Sequence, residues 1–205
     1  MTVFEYFYVI GVKDVLMIKN IYPTDLEITE AYRKDKKDGF RLLYHKYYER
    51  ILSVCKRYSA DKGEAMDFFQ EAMIKINDKI GSFIPGGEGS LYGWMSRITI
   101  NMIVDELRRR DRWRLVEIND VSDKDYIDPV YDEMGAVPVE EIYKMTRSLS
   151  ASKRAVFNMY AIDGYSYKEI SDLLGISEDG ASSTMSKARK ELGRMIKDYL
   201  KESGQ

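Results

Sequence analysis

The stretch Gly164-Tyr-Ser-Tyr-Lys-Glu-Ile-Ser-Asp-Leu-Leu-Gly-Ile-Ser177 predicts two helices joined by a tight turn. Ser166 and Glu169 have the S-x-x-E spacing of a capping box, which satisfies free backbone N–H groups where a helix begins. Gly175 suits the left-handed residue that ends a helix, and Ser177 can cap the helix that follows. The first helix has an apolar face at helical spacing, formed by Ile170, Leu173 and Leu174.

Two helices joined by so tight a turn form a helix-turn-helix, whose second helix typically enters the DNA major groove. An ordinary helical hairpin is the alternative. If DNA is the ligand, the residues that face it come from the early turns of the second helix. Hydroxyl groups there can bond to bases or phosphates, and basic groups can neutralise phosphates. The candidate contacts are Ser182, Ser183, Ser186, Lys187, Arg189 and Lys190.

The composition favours helices over sheets, because 32% of the 205 residues are charged and there are only 14 Gly and 4 Pro. Apolar residues recurring every three or four positions predict three amphipathic helices, at 38–58, at about 64–80 and at 91–107. A loop at 85–90 separates the last two. We predict an all-α fold of two small helical domains, an N-terminal bundle and a C-terminal four-helix domain that contains the helix-turn-helix.

Charge is segregated along the chain, although the formal net charge is only −2. Residues 115–141 carry one basic residue, Lys124, together with Pro129, Gly135 and Pro138, and they are predicted to form a flexible acidic linker. Their acidic residues are Glu117, Asp120, Asp123, Asp125, Asp128, Asp132, Glu133, Glu140 and Glu141. The predicted organisation is an extension at 1–24, a helical domain at 25–114, this linker, and the helix-turn-helix domain at 142–205, with helices resuming near Ser150.

Residues 1–17 are unusually apolar, yet they match neither a signal peptide nor a membrane span. No basic residues precede the apolar run, and no small-residue cleavage site follows it. The run is too short to cross a bilayer and is interrupted by Glu5, Lys13 and Asp14, so the protein is not predicted to span a membrane. Either translation starts at Met17, or the extension packs on a neighbouring element as a short strand or helix.

One cysteine, Cys55, and one histidine, His45, exclude several classes of chemistry. They cannot form an internal disulfide framework or a cysteine-based or histidine-rich metal site. His45 is predicted to lie on the solvated side of its helix. The glycine-rich loop at 86–89 lacks the Gly-Lys-Ser/Thr of a phosphate-binding loop. We therefore predict no catalytic residues, no metal, no cofactor and no small-molecule substrate.

A second constellation lies in the helix predicted at 91–107, where polar and basic residues share one face. Such a face beside aromatic residues can hold a splayed single strand by stacking and by hydrogen bonds to base edges. The alternative is a solvated basic helix end, whose charge complements the helix dipole. Trp94 is interpreted as a core anchor. The candidate nucleic-acid contacts are Arg97, Asn101, Arg108, Arg109 and Arg110.

A third constellation, Asp67, Gln70 and Glu71, shares a polar helix face, while Phe69 points towards the core. Paired carboxylates can perform acid-base catalysis, but no histidine, metal-ligand set or phosphate loop accompanies these two. A polar patch for a protein partner is the better interpretation.

These constellations, in this order around an acidic linker, resemble the extracytoplasmic-function group of bacterial RNA polymerase sigma factors. The resemblance runs from about Asp25 to Leu200. Residues 40–48 with 67–71 look like the first conserved stretch and the polymerase-binding helix of that family. Residues 89–110 look like the helix that melts and reads the −10 element, and 165–189 like the −35-reading helix-turn-helix.

The chain departs from this family at two places. Leu149-Ser150 stands where Leu-Pro is common, before the first helix of the C-terminal domain. Asp179-Gly180 stands where the recognition helix often has Gly-Thr. Asp179 would repel phosphate if it faced DNA.

The resemblance implies a role for each constellation. Asp67, Gln70 and Glu71 would face the clamp coiled coil of the largest polymerase subunit. Asn101 would receive a −10 base turned out of the stack, and the arginines at 108–110 would hold the adjacent backbone. The implied protein is a cytoplasmic, non-enzymatic initiation factor whose partners are core RNA polymerase, promoter DNA and an anti-sigma factor. A helix-turn-helix regulator that binds DNA without polymerase is the alternative.

Overall fold

A computed structural model describes residues 22–110 and 137–204, and within these ranges every regular element is a helix. The first range contains α1 (Asp25–Lys34), α2 (Lys36–Tyr58), α3 (Lys62–Lys79), a 3-10 turn (Ile80–Ser82) and α4 (Ser90–Arg109). The second contains α5 (Val139–Ser148), α6 (Ala151–Phe157), a π-helical turn (Asn158–Ile162), α7 (Tyr167–Leu174) and α8 (Glu178–Glu202). The predicted all-α fold is confirmed.

Two compact units make up the fold, and the division between them falls within α4, at Ile103 and Val104. Most of the predicted extension and linker, residues 1–21 and 111–136, lies outside the described residues. The domain boundaries inferred from the sequence therefore stay a prediction.

The helix α1 was not predicted from the apolar pattern, and it begins at a capping box formed by Thr24 and Glu27. The Thr24 hydroxyl accepts the Glu27 N–H at 3.2 Å, and the Glu27 carboxylate accepts the Thr24 N–H at 2.7 Å. These two bonds satisfy backbone donors at the helix start. The helix ends at Asp35, whose side chain in turn caps α2 by accepting the Lys37 N–H at 2.9 Å.

The helices α2, α3 and α4 correspond to the three predicted amphipathic helices. α2 begins two residues earlier than predicted, and α3 is capped by the Asp61 side chain, which accepts the Glu64 N–H at 2.9 Å. His45 is exposed, as predicted. The largest fully buried side chains of this unit are Tyr47, Tyr58, Phe68, Ile28, Leu43, Ile51, Ile76, Leu91, Met95, Ile100 and Ile103.

The prediction that helices resume near Ser150 was wrong, because α5 begins at Val139, inside the segment assigned to the linker. Pro138 directly precedes the helix, where its missing N–H costs nothing. Glu140 and Glu141 lie in the first turn, where acidic side chains are stabilised by the positive end of the helix dipole. Ile142 is buried against Val137 and Ile196 of α8, which ties α5 to the C-terminal unit.

The predicted helix-turn-helix is present as α7, a tight turn and α8. Ser166 and Glu169 form the capping box of α7, and Gly175 ends that helix with a φ of 69°. The Ser177 hydroxyl caps α8 by accepting the Gly180 N–H at 3.0 Å. A Cβ on Gly180 would lie 3.1 Å from that hydroxyl oxygen, so the glycine that departs from the family pattern leaves room for the cap.

Candidate nucleic-acid and protein interfaces

One face of α4 carries the predicted single-strand contacts. Arg97, Asn101 and Arg108 follow one another at spacings of four and seven residues, and all three side chains are exposed. The opposite face is buried through Leu91, Met95, Ile103 and Leu107. Because that face packs into the core, the face that carries Arg97 and Asn101 points towards solvent.

Arg97 and Asn101 differ from the arginines at the end of α4. Within the described residues, neither side chain forms a hydrogen bond or ion pair. The end of the helix is instead stabilised by ion pairs, Arg108 with Asp105 at 3.0 Å, Arg109 with Glu106 at 3.6 Å and Arg110 with Glu106 at 2.6 Å. Surface ion pairs of this kind contribute little to stability, so the arginines can readily exchange their carboxylate partners for a phosphate.

Trp94 lies at the edge of the same face and packs against Phe83. The two ring centroids are 5.1 Å apart, with the planes inclined by 45°. The indole is half-buried rather than enclosed. This contact favours the interpretation of Trp94 as a packing residue whose indole stays partly exposed to solvent.

The polar patch on α3 has the orientation predicted for it. Asp67 and Gln70 are exposed, and Glu71 is half-exposed beside Lys75, with 3.3 Å between the Glu71 carboxylate and the Lys75 ammonium group. Ile74 lies on the same face and is 63% exposed. We call these four residues, Asp67, Gln70, Glu71 and Ile74, the α3 patch.

Ile74 was missed in the sequence, because an apolar residue at helical spacing is ordinarily assigned to a core. Its exposure is informative, since an apolar side chain within a polar face is the composition of a protein-binding surface. The signal available from sequence was its position four residues after Gln70 and three after Glu71, which places all three on one side of the helix.

The predicted contacts on α8 fall on two sides of the helix. Lys187 and Lys190 are exposed, and Ser183 and Ser186 are half-exposed on the same side. Arg189 lies on another side, and its guanidinium carbon is 5.8 Å from the centre of the Tyr160 ring. Tyr160 stacks on Tyr167 with centroids 4.4 Å apart.

Ser182 also lies next to this aromatic pair, where its side chain partly offsets the raised pKa of Tyr167. Burial is the main cause that raises the pKa of Tyr167, with Tyr160 adding to the shift. Ser182 is exposed as well, so it can contact both Tyr167 and a ligand. Arg189, by contrast, has a packing role in addition to any contact with DNA.

A row of basic residues continues along α8 beyond the predicted contacts. We call it the basic stripe, and it consists of Lys187, Lys190, Arg194, Lys197 and Lys201, which line one shallow cleft. Lys153 of α6 borders the same cleft and pairs with Glu191 at 2.5 Å. Positive charge at this spacing suits a polyanion such as a nucleic-acid backbone.

The described residues also bear on whether this chain has a reactive thiol, a metal site or a membrane-spanning helix. Burial raises the pKa of Cys55 to about 12, so the thiol stays protonated near neutral pH and is a poor nucleophile. No group of three or more His, Cys, Asp or Glu side chains able to hold a metal ion occurs within residues 22–110 and 137–204. Among the helices described, none has the length and apolar character to cross a bilayer.

Two family models match the chain in the order of these interfaces. Sigma-70 region 2 matches residues 43–113, which include the α3 patch and the exposed face of α4. Sigma-70 region 4 matches residues 139–192, which begin where α5 begins and include the helix-turn-helix.

Two sigma factors of known sequence agree with these matches. The chain is 25% identical over 193 residues to the RNA polymerase sigma-H factor of Pseudomonas aeruginosa, covering 87% of this chain and 97% of that protein. It is 24% identical over 174 residues to the ECF RNA polymerase sigma factor SigM of Mycobacterium tuberculosis, covering 84% and 85%. A solved sigma factor RpoE in complex with the anti-sigma factor NepR, from Bartonella quintana, aligns with a TM-score of 0.48 at 22% identity, covering 77% and 96%.

Regions 2 and 4, in this order within one helical chain, define a sigma-70-type transcription initiation factor. The chain belongs to the extracytoplasmic-function subfamily of the sigma-70 family. It acts as an RNA polymerase sigma factor, whose partners are core polymerase and promoter DNA. This decides against a regulator that works without polymerase.

Proposed function

We propose that three helices divide the work of initiation in this sigma factor. The α3 patch binds core polymerase, the exposed face of α4 holds the non-template strand of the −10 element, and the helix-turn-helix binds the −35 element as duplex. The observation that carries the proposal is that Arg97 and Asn101 face solvent together on α4 and have no partner among the described residues.

The α4 face suits a single strand better than a duplex. Asn101 presents an amide, which can both donate and accept hydrogen bonds at a base edge. Arg97 lies one turn before it and can neutralise a phosphate or stack on a base. Arg108 continues the same face two turns further along α4, so a strand can follow the face over several nucleotides.

The α3 patch combines charge with one exposed apolar side chain. Asp67 and Glu71 can attract basic groups of the polymerase, and Ile74 offers apolar area that becomes buried on binding. This arrangement supports a protein partner, because acidic residues at this spacing would repel nucleic acid.

The helix-turn-helix supports duplex binding through the side of α8 that carries Ser183, Ser186, Lys187 and Lys190. Asp179 is exposed in the first turn of α8, where it would repel a phosphate. We therefore assign the phosphate contacts to Lys187 and Lys190, away from that end.

We also propose that the protein has no enzymatic activity of its own and works in the cytoplasm, where the polymerase transcribes. An anti-sigma partner, expected from the family, stays a prediction.

The test is transcription in vitro with core polymerase, this protein and fragments of the genome of its own organism, followed by mapping of transcript start sites. We expect start sites that share two upstream motifs, one near −10 and one near −35. Start sites without a shared upstream motif would refute the proposed division of promoter recognition.

A further inference from the structure

A buried carboxylate, Asp25, fixes the loop at 84–90 that leads into α4. Its side chain is among the most buried polar groups of the chain, with 1% of the residue exposed. One carboxylate oxygen accepts the Gly89 N–H at 2.8 Å and the Leu91 N–H at 3.0 Å. These bonds join residues 64 and 66 positions apart in the sequence.

The other oxygen of Asp25 is held from the side of α2. It accepts a hydrogen bond from the Tyr47 hydroxyl and another from the Lys46 ammonium group at 3.1 Å. Burial by itself opposes ionisation of Asp25, but the bonds from Tyr47, from the Leu91 N–H and from Lys46 outweigh it and lower the pKa of the carboxyl. The carboxyl group is therefore ionised, and each of its two oxygens accepts two hydrogen bonds from the protein.

Glu88 closes the network from within the loop itself. Its carboxylate pairs with Lys46 at 2.6 Å and accepts the Asp25 N–H at 3.1 Å. Ser90 adds two local bonds, donating to the Gly87 carbonyl at 2.6 Å and accepting the Gly86 N–H at 3.1 Å. A loop with three glycines would otherwise sample many conformations, because glycine lacks the steric limits of other residues.

The fixed loop stands at the head of the nucleic-acid face of α4. Ser90, Arg97 and Asn101 lie on one side of the helix, so the loop and the proposed base contact border the same surface. At 1.5 Å per residue, Asn101 lies about 16 Å along the axis from the loop's end. Ile84, at the start of this loop, is 83% exposed.

We propose that Asp25 is a positioning residue for −10 recognition, which holds the 84–90 loop in one conformation at the head of the α4 face that binds the −10 strand. This inference rests on the proposed −10 function of α4. Asp25 itself touches no nucleic acid, since it is buried. Its loss would therefore alter which bases are preferred, while leaving the polymerase and −35 contacts in place.

Two tyrosines provide a matched pair of variants for the test. Tyr47→Phe removes the hydroxyl that holds Asp25 and keeps the ring in the core. Tyr32→Phe removes a comparable buried hydroxyl, whose hydrogen bonds go to Asn77 and not to the loop, at 2.8 Å to the backbone carbonyl and 3.2 Å to the side-chain oxygen. Both variants lose the hydrogen bonding of a buried tyrosine hydroxyl, so a general loss of stability affects both.

The experiment uses holoenzyme and fluorescent fork-shaped promoter DNA, taken from a promoter mapped by transcription, with each −10 base of the single strand varied in turn. The quantity measured is the ratio of affinities for the preferred and the disfavoured base. We expect Asp25→Asn and Tyr47→Phe to lower this ratio about fivefold, the effect of one net hydrogen bond, and Tyr32→Phe to leave it unchanged. Thermal unfolding and polymerase binding are measured for every variant.

Each outcome decides the matter. Loss of discrimination in Tyr47→Phe but not in Tyr32→Phe supports the inference, even where Asp25→Asn fails to fold. Equal ratios in both tyrosine variants overturn it. Asn101→Ala separates the two claims: if that variant binds the fork normally, the proposed −10 site fails and the inference with it. If Asn101→Ala binds weakly while Tyr47→Phe keeps full discrimination, only the role of Asp25 is refuted.

Discussion

Gly39 of α2 lies directly against Tyr32 of α1, and a Cβ added to Gly39 would come within 2.2 Å of the Tyr32 Cα and 2.3 Å of its backbone nitrogen. No side-chain rotation can relieve that clash, because both atoms belong to the backbone. The contact sets the close crossing of α1 and α2. It therefore also sets the position of Asp25, which lies in the first turn of α1.

Gly39→Ala is expected to lower the free energy of unfolding of the N-terminal helices by about 3 kcal/mol, since the two helices must move apart to accept a methyl group. Urea unfolding followed by circular dichroism measures the change. Gly93→Ala is the matched control, because that position has open space around it. Alanine there is expected to be neutral or to stabilise the helix by up to about 1 kcal/mol. Equal effects of the two substitutions would contradict the close crossing.

Charge reversal on the α3 patch tests the assigned polymerase interface. Asp67→Lys and Glu71→Lys should each weaken binding to core polymerase about tenfold, since each replaces an attraction with a repulsion. Ile74→Ala should also weaken binding, because it removes apolar area from the patch. Affinity is measured by fluorescence anisotropy of labelled sigma factor titrated with core enzyme.

Glu30→Lys provides the control for these variants, since it makes the same charge change at an exposed position of α1. We expect it to bind core polymerase as the unaltered protein does. If the α3 variants keep full affinity, or if Glu30→Lys loses as much, the interface lies elsewhere.

The two capping boxes show how far local sequence predicts this fold. Ser166 and Glu169 were identified from their S-x-x-E spacing, which an apolar helix face follows. Thr24 and Glu27 form the same motif and start α1, yet the helix was not predicted, since its apolar residues are few. At Pro138 the sequence predicted a linker where a helix begins. A proline next to acidic residues is typical of a linker, but it also fits the start of a helix.

Lysines on the basic stripe should contribute to DNA binding through phosphate charge alone. Lys187→Ala and Lys190→Ala are each expected to weaken binding of −35 duplexes of any sequence to a similar degree. Each should also reduce the slope of log affinity against log salt by about 1. Holoenzyme titrations at several salt concentrations measure both effects. Lys144→Ala, at an exposed lysine of α5 paired with Glu141, should leave the slope unchanged.

Arg189→Ala should behave differently from these lysine variants. Its guanidinium packs over Tyr160, so its removal is expected to destabilise the C-terminal unit by about 1 kcal/mol and to change the salt slope less. Thermal unfolding and the same salt titration separate the two effects. A reduction in slope equal to that of Lys187→Ala, without loss of stability, would show that Arg189 contacts phosphate instead.

Cys55 should resist alkylation in the folded protein, because burial raises its pKa to about 12. Iodoacetamide at pH 8, followed by mass spectrometry, should modify it only when urea is present. The same shift predicts that the free energy of unfolding falls as pH rises above 9, because the unfolded chain then releases a proton that the folded chain keeps. Rapid labelling without urea would contradict the buried position.

The parts of the interfaces that depend on distant residues could not be predicted from sequence. The bonds from Asp25 to Gly89 and Leu91 cross 64 and 66 residues, and no local pattern links them. Ile74 was not singled out, and the packing of Arg189 on Tyr160 was not foreseen, because helical spacing shows which residues share a side, but not which side faces the core. Arg97 and Asn101, in contrast, lie together on one exposed face of α4, as their spacing of four residues indicated.

The role of Asn101 is the central claim, and one measurement tests it most directly. Open-complex formation on a mapped promoter is followed by permanganate reactivity of −10 thymines, with holoenzyme containing Asn101→Ala. We predict about tenfold less opening than with the unaltered protein, because the side chain's contact with an unstacked base is lost. Binding of the variant to core polymerase and recruitment to closed promoter DNA should stay unchanged. Opening equal to that of the unaltered protein would contradict the assignment of the −10 strand to this face of α4.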